Sequence, residues 1–161
     1  MPGRKACFPP VAAPDTRLLI LGSLPGDASL AAGQYYAHPR NQFWRLLSAV
    51  LGADLLALSY DARLQTLQRA GVGLWDVVGS ARRRGSLDGE LREVEHNDLL
   101  TLIATLPALR AVAFNGKAAA SRAADVAARG LPALCLPSSS PAYTLAYEKK
   151  LETWLQLGRY L

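Results

Sequence analysis

Four short apolar runs recur along the chain, each closed by a residue that stops a strand. They are LLILG at Leu18 to Gly22, GLWDVV at Gly73 to Val78, AVAFNG at Ala111 to Gly116, and ALCLP at Ala133 to Pro137. Runs of this length without polar alternation read as strands buried on both faces. Helical patterns fall between them. From Asn41 the residues Phe43, Trp44, Leu46, Leu47, Val50 and Leu51 make a broad apolar face, and Tyr60 to Ala70 reads as a second helix ended by Gly71. Asn97 or Asp98 caps a helix running to Leu106, with Pro107 beyond it. An alanine-rich helix precedes the last strand, and a helix from about Leu145 carries Tyr147, Leu151, Trp154 and Leu155 inward. This alternation predicts a three-layer α/β/α domain around a short, mainly parallel four-stranded sheet.

The chain has 161 residues, half of them hydrophobic and 19% charged, which fits one domain with a proper core and excludes a disordered tail. Residues 1–16 are proline-rich and are expected to wrap the surface; no internal repeat or linker stands out. A net charge of +5 is compatible with a polyanionic partner without requiring one. Cys7 and Cys135 stand far apart, which argues against structural zinc and a disulfide scaffold and fits a reducing cytoplasm. No secretory signal and no apolar run of roughly 20 residues is present, so a soluble cytoplasmic protein is expected, away from membranes.

A parallel sheet of this kind places function at the carboxyl ends of its strands. Three loops leave such ends. The first runs from GSLPGD (Gly22 to Asp27) to YYAHPRNQFW (Tyr35 to Trp44), the second is FNGK, and the third is PSSSPAYT. The first lacks the spacing of either common phosphate-binding motif. Taken alone, Gly22, Pro25 and Gly26 do no more than turn the chain. Together the loops offer flat rings, an amide, small hydroxyls and, from the loop SARRRGSLDGE, a cationic rim at Arg82, Arg83 and Arg84. A single nucleobase drawn out of its strand asks for that set: stacking on its face, hydrogen bonds to its edge, and charge for its phosphates.

The order G-x-x-P-G, then an aromatic followed by A-H-P-x-N-x-F-W, resembles the mismatch-specific enzymes of the uracil-DNA glycosylase superfamily. The matching residues are Gly22, Pro25 and Gly26, then Tyr36, Ala37, His38, Pro39, Asn41, Phe43 and Trp44. SSSPAY, at Ser138 to Tyr143, resembles the second motif of that superfamily, a loop that enters the DNA stack. The intervening GVGLWDVVGSARRRGSLD is similar to the hypoxanthine-DNA glycosylase branch. The likeness extends from about Phe8 to the C-terminus. Two departures stand out. Leu24 occupies the place where the mismatch-specific enzymes carry a catalytic asparagine, and Ser138 stands where a histidine or asparagine is common.

What the resemblance implies is a monofunctional glycosylase that hydrolyses the N-glycosidic bond of an everted deaminated base: hypoxanthine, with uracil or xanthine as further substrates. The hypoxanthine branch assigns catalysis to the asparagine of H-P-x-N, here Asn41, which then orients water or contacts the base; the alternative is a helix cap. Tyr36 aligns with the stacking aromatic, or is a core or rim tyrosine. His38 braces the loop at the base-binding wall, a catalytic role being its alternative, and backbone N–H groups of Ser23 and Leu24 line the base pocket. Ser138, Ser139 and Ser140 pinch phosphates, followed by Pro141. Ala142 and Tyr143 fill the gap left by the base, with Tyr143 as the wedge. Lys117 is the one candidate for a Schiff-base lysine, but the superfamily uses none. DNA, duplex or single-stranded, is the expected partner of a monomer without metal or cofactor. Two alternatives stay open: an enzyme acting mainly on uracil, and, given Leu24, a non-catalytic module that binds damaged DNA.

Overall fold

The strand Leu18–Gly22 (β2) is wholly buried, Leu18 to Leu21 having no exposed surface. A run of that kind has to be covered on both faces and both edges, and it is. In the computed structural model, which describes residues 3–161, β2 lies between the parallel strands Val72–Asp76 (β3) and Ala111–Asn115 (β6). Ala133–Leu136 (β7) pairs in parallel with β6, completing the order β3-β2-β6-β7.

Alternate side chains of these strands feed two cores. Leu18, Ile20, Val72, Leu74, Ala111 and Ala113 face a layer made by Phe43–Leu51 (α2), Tyr60–Ala70 (α3) and Tyr147–Trp154 (α6). Leu19, Leu21, Val112 and Phe114 face Leu99–Ala104 (α4) and Ala123–Ala127 (α5). Ser59 caps α3 by accepting from the Ala62 N–H, and Asp98 caps α4 by accepting from Thr101. The short helix Asp27–Ala32 (α1) links the first strand-end loop to the aromatic segment.

Several expectations change. The third strand stops at Asp76, and Val78–Arg82 forms a separate strand (β4) where an arginine-rich loop was expected. This strand pairs antiparallel with Arg4–Ala6 (β1) and Arg92–His96 (β5) in a second, three-stranded sheet. The proline-rich N-terminal segment therefore does more than wrap: past β1, Val11 exchanges two backbone hydrogen bonds with Leu74 and closes the outer edge of β3. Residues 1 and 2 of that segment lie outside the described ones. The last helix starts at Tyr147, and Leu155, just past its end, is exposed where it was expected inside. No helix among the described residues is long and apolar enough to cross a membrane.

Candidate active site

The register of the central sheet builds the floor of the site. Gly22 pairs with Asp76, Leu21 with Phe114, and Asn115 with Leu136, so Asp76, Gly22 and Asn115 end level in adjacent strands. A cavity of about 1190 Å³ opens at these carboxyl ends. A Cβ on Gly22 would lie 2.6 Å from Asp76 Oδ1 and 2.9 Å from Tyr36 Oη. Only glycine leaves both polar groups room between the strands.

The aromatic segment forms one wall. Tyr36 stacks on Phe43 with ring centroids 3.8 Å apart and planes 11° from parallel, and it lines the cavity. Its φ of 55° is left-handed, an uncommon state for a bulky side chain that its surroundings must enforce. They do so on both sides: the Tyr35 N–H donates to Tyr60 Oη, Trp44 Nε1 donates to the Tyr35 carbonyl, and the Ala37 N–H donates to Ser29 Oγ. His38 Nδ1 accepts from the Arg40 N–H at 3.1 Å, which spends that nitrogen on the turn. Asn41 Oδ1 accepts from the Phe43 N–H at 3.0 Å, so its carbonyl caps the entry to α2 and fixes the orientation of the amide.

The serine loop forms the opposite wall. Ser139 is 1% exposed, and its role differs from the phosphate contact expected of it. Asn115 Nδ2 donates to its hydroxyl at 2.8 Å, its N–H donates to Asn115 Oδ1 at 2.9 Å, and its carbonyl accepts from Gln42. Ser139 thereby locks the third loop to the end of β6 and the entry of α2. Ser138 and Ser140 are less buried, and each hydroxyl accepts a backbone N–H within the loop, leaving its own hydrogen to donate outward. Tyr143 is 47% exposed at the rim, with the buried Lys150 ammonium 5.4 Å from its ring centroid and donating to the Ser140 carbonyl.

The arginines do not form one rim. Arg83 is buried, and its guanidinium donates to the carbonyls of Leu24, Pro25 and Gly85 and stands 3.8 Å from Asp88. An arginine whose donors are spent on carbonyls inside the protein holds the first loop in shape and is not offered to DNA. Arg82 lies in β4 and pairs with Glu93 at 2.6 Å, while Arg84 is exposed. Ser23, Leu24, Tyr36, His38, Asn41 and Ser138 to Tyr143 all line the one cavity, with Lys117 exposed beside them; the three arginines do not. Ser23 Oγ donates to Asp88 Oδ1 at 2.6 Å, and Leu24 is also a core residue against Val77, Val78 and Leu99. Among the described residues, no cluster of three or more His, Cys, Asp or Glu is placed to hold a metal ion.

Asp76 and Asn115 line the cavity but were not among the site residues the sequence suggested, and Asp76 is the more unusual of the two. It is 3% exposed, yet it lines the cavity, and its Oδ2 finds no hydrogen-bond partner among the described residues. Burial, reinforced by the nearby Asp88 charge and opposed by Arg83, pushes its carboxyl up to about 7. Tyr36 Oη beside it is likewise buried, and burial, reinforced by the Asp76 charge and opposed by Asn115, raises that phenol as well. A signal was there to be read: an acid in the middle of GLWDVV is expensive to bury for packing alone.

The strand ends of a parallel sheet in an α/β domain thus meet a stacked tyrosine, two asparagines, a buried acid and a serine loop around one cavity. The sequence profile of the Uracil DNA glycosylase superfamily matches residues 9–158, and the chain belongs to that superfamily. A protein of Methanosarcina barkeri named hypoxanthine DNA glycosylase is 40% identical over 153 residues, covering 95% of this chain and 97% of the relative. One of the same name from Methanosarcina acetivorans is 37% identical over 156 residues, covering 97% and 99%. A solution NMR structure from Methanosarcina acetivorans, described as a candidate uracil DNA glycosylase, superposes with a TM-score of 0.89 at 37% identity, with 98% of each chain covered.

Proposed function

We propose that this chain is a monofunctional DNA glycosylase that everts a deaminated base, hypoxanthine first among them, and hydrolyses its N-glycosidic bond. The observation that carries the reading is the pairing of the Phe43-backed Tyr36 ring with the Asn41 amide on one cavity wall. The base stacks on Tyr36. Asn41 spends its carbonyl on the Phe43 N–H, which favours donation from its NH₂ to the departing base over activation of water. Oxocarbenium character develops at C1′, the base leaves with negative charge, and water adds to the sugar. Ser138 and Ser140 donate to the flanking phosphates, and Tyr143 enters the gap left in the stack. The protein works as a single-domain monomer in the cytoplasm, without a cofactor, on duplex or single-stranded DNA. The names of the hypoxanthine DNA glycosylase relatives, at 37–40% identity over nearly the whole chain, support this choice of substrate.

Single-turnover cleavage of strands bearing deoxyinosine, deoxyuridine or deoxyxanthosine tests the proposal. Wild type is expected to cut deoxyinosine fastest, and Asn41→Ala to lose a hundredfold or more, roughly the loss of one oriented donor. A folded Asn41→Ala protein cutting at the wild-type rate would refute the role of Asn41. Retention of damaged DNA without abasic product would instead establish the binding-module alternative.

A further inference from the structure

The floor of the cavity holds a polar group that the stacking and donor roles above do not use. Asp76 closes β3 level with Gly22 and Asn115, on the face of the sheet that carries the Tyr36 wall. Its Oδ2 has no protein partner among the described residues, although the residue is almost fully enclosed. Native interiors pair such oxygens, so an orphan facing a cavity points to a ligand. The missing side chain at Gly22 is what leaves the carboxyl its room: a Cβ there would lie 2.6 Å from Oδ1.

We propose that Asp76, in its neutral acid form, is a hydrogen-bond donor to the carbonyl oxygen of the departing base. The inference rests on the glycosylase reading and assigns its substrate class, bases that carry a ring carbonyl. When the C1′–N bond breaks, its electron pair goes to the base, which leaves as an anion with charge shared onto that oxygen. Asp76 keeps its proton and stabilises the charge. Water adds to C1′ and gives a proton to solvent, and the base anion takes one from solvent. A buried acid kept neutral so that it can donate is an established catalytic device.

The surroundings suit that state. Burial is the main cause that holds the proton on. Asp88, from the connection between β4 and β5, adds to it, and Arg83 at the end of β4 opposes it. Tyr35 and Tyr36 face the same carboxyl from the aromatic segment. With the acid poised at about 7, the donor is lost as pH rises through neutrality.

The experiment is single-turnover cleavage of a deoxyinosine duplex by saturating enzyme from roughly pH 5.5 to 9, with Asp76→Asn and Asp76→Leu beside wild type. Far-UV circular dichroism verifies folding, and binding to an abasic-product duplex is measured for each protein. Wild type should slow about tenfold per pH unit above neutrality. Asp76→Asn, an isostere that donates without ionising, should stay within several-fold at low pH and lose the pH dependence. Asp76→Leu should fall on the order of a hundredfold while still binding product DNA. A folded Asp76→Leu enzyme with the wild-type rate, or a wild-type rate that climbs with pH, would overturn the assignment. So would an Asp76→Asn protein as slow as Asp76→Leu. A wild type silent on deoxyinosine, deoxyuridine and deoxyxanthosine alike would defeat the glycosylase reading itself, and this inference with it.

Discussion

Two neighbouring arginines, one buried and one exposed, should respond to replacement in opposite ways. Arg83 has no exposed side-chain surface, and its guanidinium serves the carbonyls of Leu24, Pro25 and Gly85. Arg83→Met keeps the buried stem and removes those donors. The buried Pro25 carbonyl is then orphaned, at a cost of about 1–3 kcal/mol. The Gly85 carbonyl is exposed and can turn to water, and Asp88, about half exposed, adds roughly 0–1 kcal/mol as a lost ion pair. A net loss of about 1–4 kcal/mol follows, which for a chain of this length lowers Tm by on the order of 2–16 °C. Arg84→Ala, at an exposed position, should change stability by less than about 0.5 kcal/mol.

Urea titration gives the first readout: the midpoint should fall for Arg83→Met at constant slope m and stay put for Arg84→Ala. The salt dependence of DNA binding gives the second. Each phosphate neutralised contributes about 0.9 to the slope of log K against log salt. Arg83→Met should leave that slope unchanged, whereas Arg84→Ala should reduce it by about one phosphate's worth if Arg84 meets the backbone. An Arg83→Met protein as stable as wild type but with a shallower salt slope would refute the buried-clamp argument and restore Arg83 to the DNA surface.

Asp76 makes a separate stability prediction. Its carboxyl sits at about 7 in the folded chain against 3.8 for the free group, so between those values the folded state holds the extra proton, and stability falls as pH rises through that window. The whole effect is on the order of 4 kcal/mol, and Asp76→Asn should lack it, gaining on wild type from pH 4 to 8; a wild-type-to-variant gap in urea midpoint that is flat with pH would count against it. Gly22→Ala forces a methyl to within 2.6 Å of Asp76 Oδ1; it should cost about 1–3 kcal/mol by overpacking and slow cleavage at least tenfold, and unimpaired cleavage would show the floor to be unused. Tyr143→Ala removes a half-exposed ring and should leave Tm nearly unchanged while weakening retention of everted-base DNA, and equal affinity and rate would exclude it as the wedge.

The central sheet was readable because its strands are short apolar runs, buried as runs of that kind must be, and α3 because its pattern ends at Gly71. The antiparallel sheet was not. REVEH in β5 is mostly exposed and charged, so it carries no hydrophobic periodicity, and it forms because the preceding strand β4 supplies a partner. Arg83 has the same difficulty. In a run of three arginines nothing local tells which is buried, since that depends on carbonyls about 58 residues earlier in the chain. The serine loop lines the cavity at the strand ends, as its place after the last strand suggests, but its inner member is a lock where a phosphate contact was expected. Ser138 and Ser140 flank a residue turned inward onto Asn115, a partner 24 residues away.

Leu24, read against the mismatch-specific pattern, looks like a lost catalytic group. The structure gives it another occupation: it is 6% exposed and packs with Val77, Val78 and Leu99, while its carbonyl meets Arg83. An asparagine at that position would have to bury its amide in an apolar cluster, at a cost of about 1–3 kcal/mol if unpaired. Polar side chains that line the cavity come instead from other elements. Asn41 comes from the entry of α2, Asp76 from the end of β3, and Asn115 from the end of β6. Leu24→Asn is therefore expected to be a poor trade: a less stable protein with no faster cleavage. Faster cleavage by a folded Leu24→Asn enzyme would show that the position can still serve catalysis, and that Asn41 does not stand in for it.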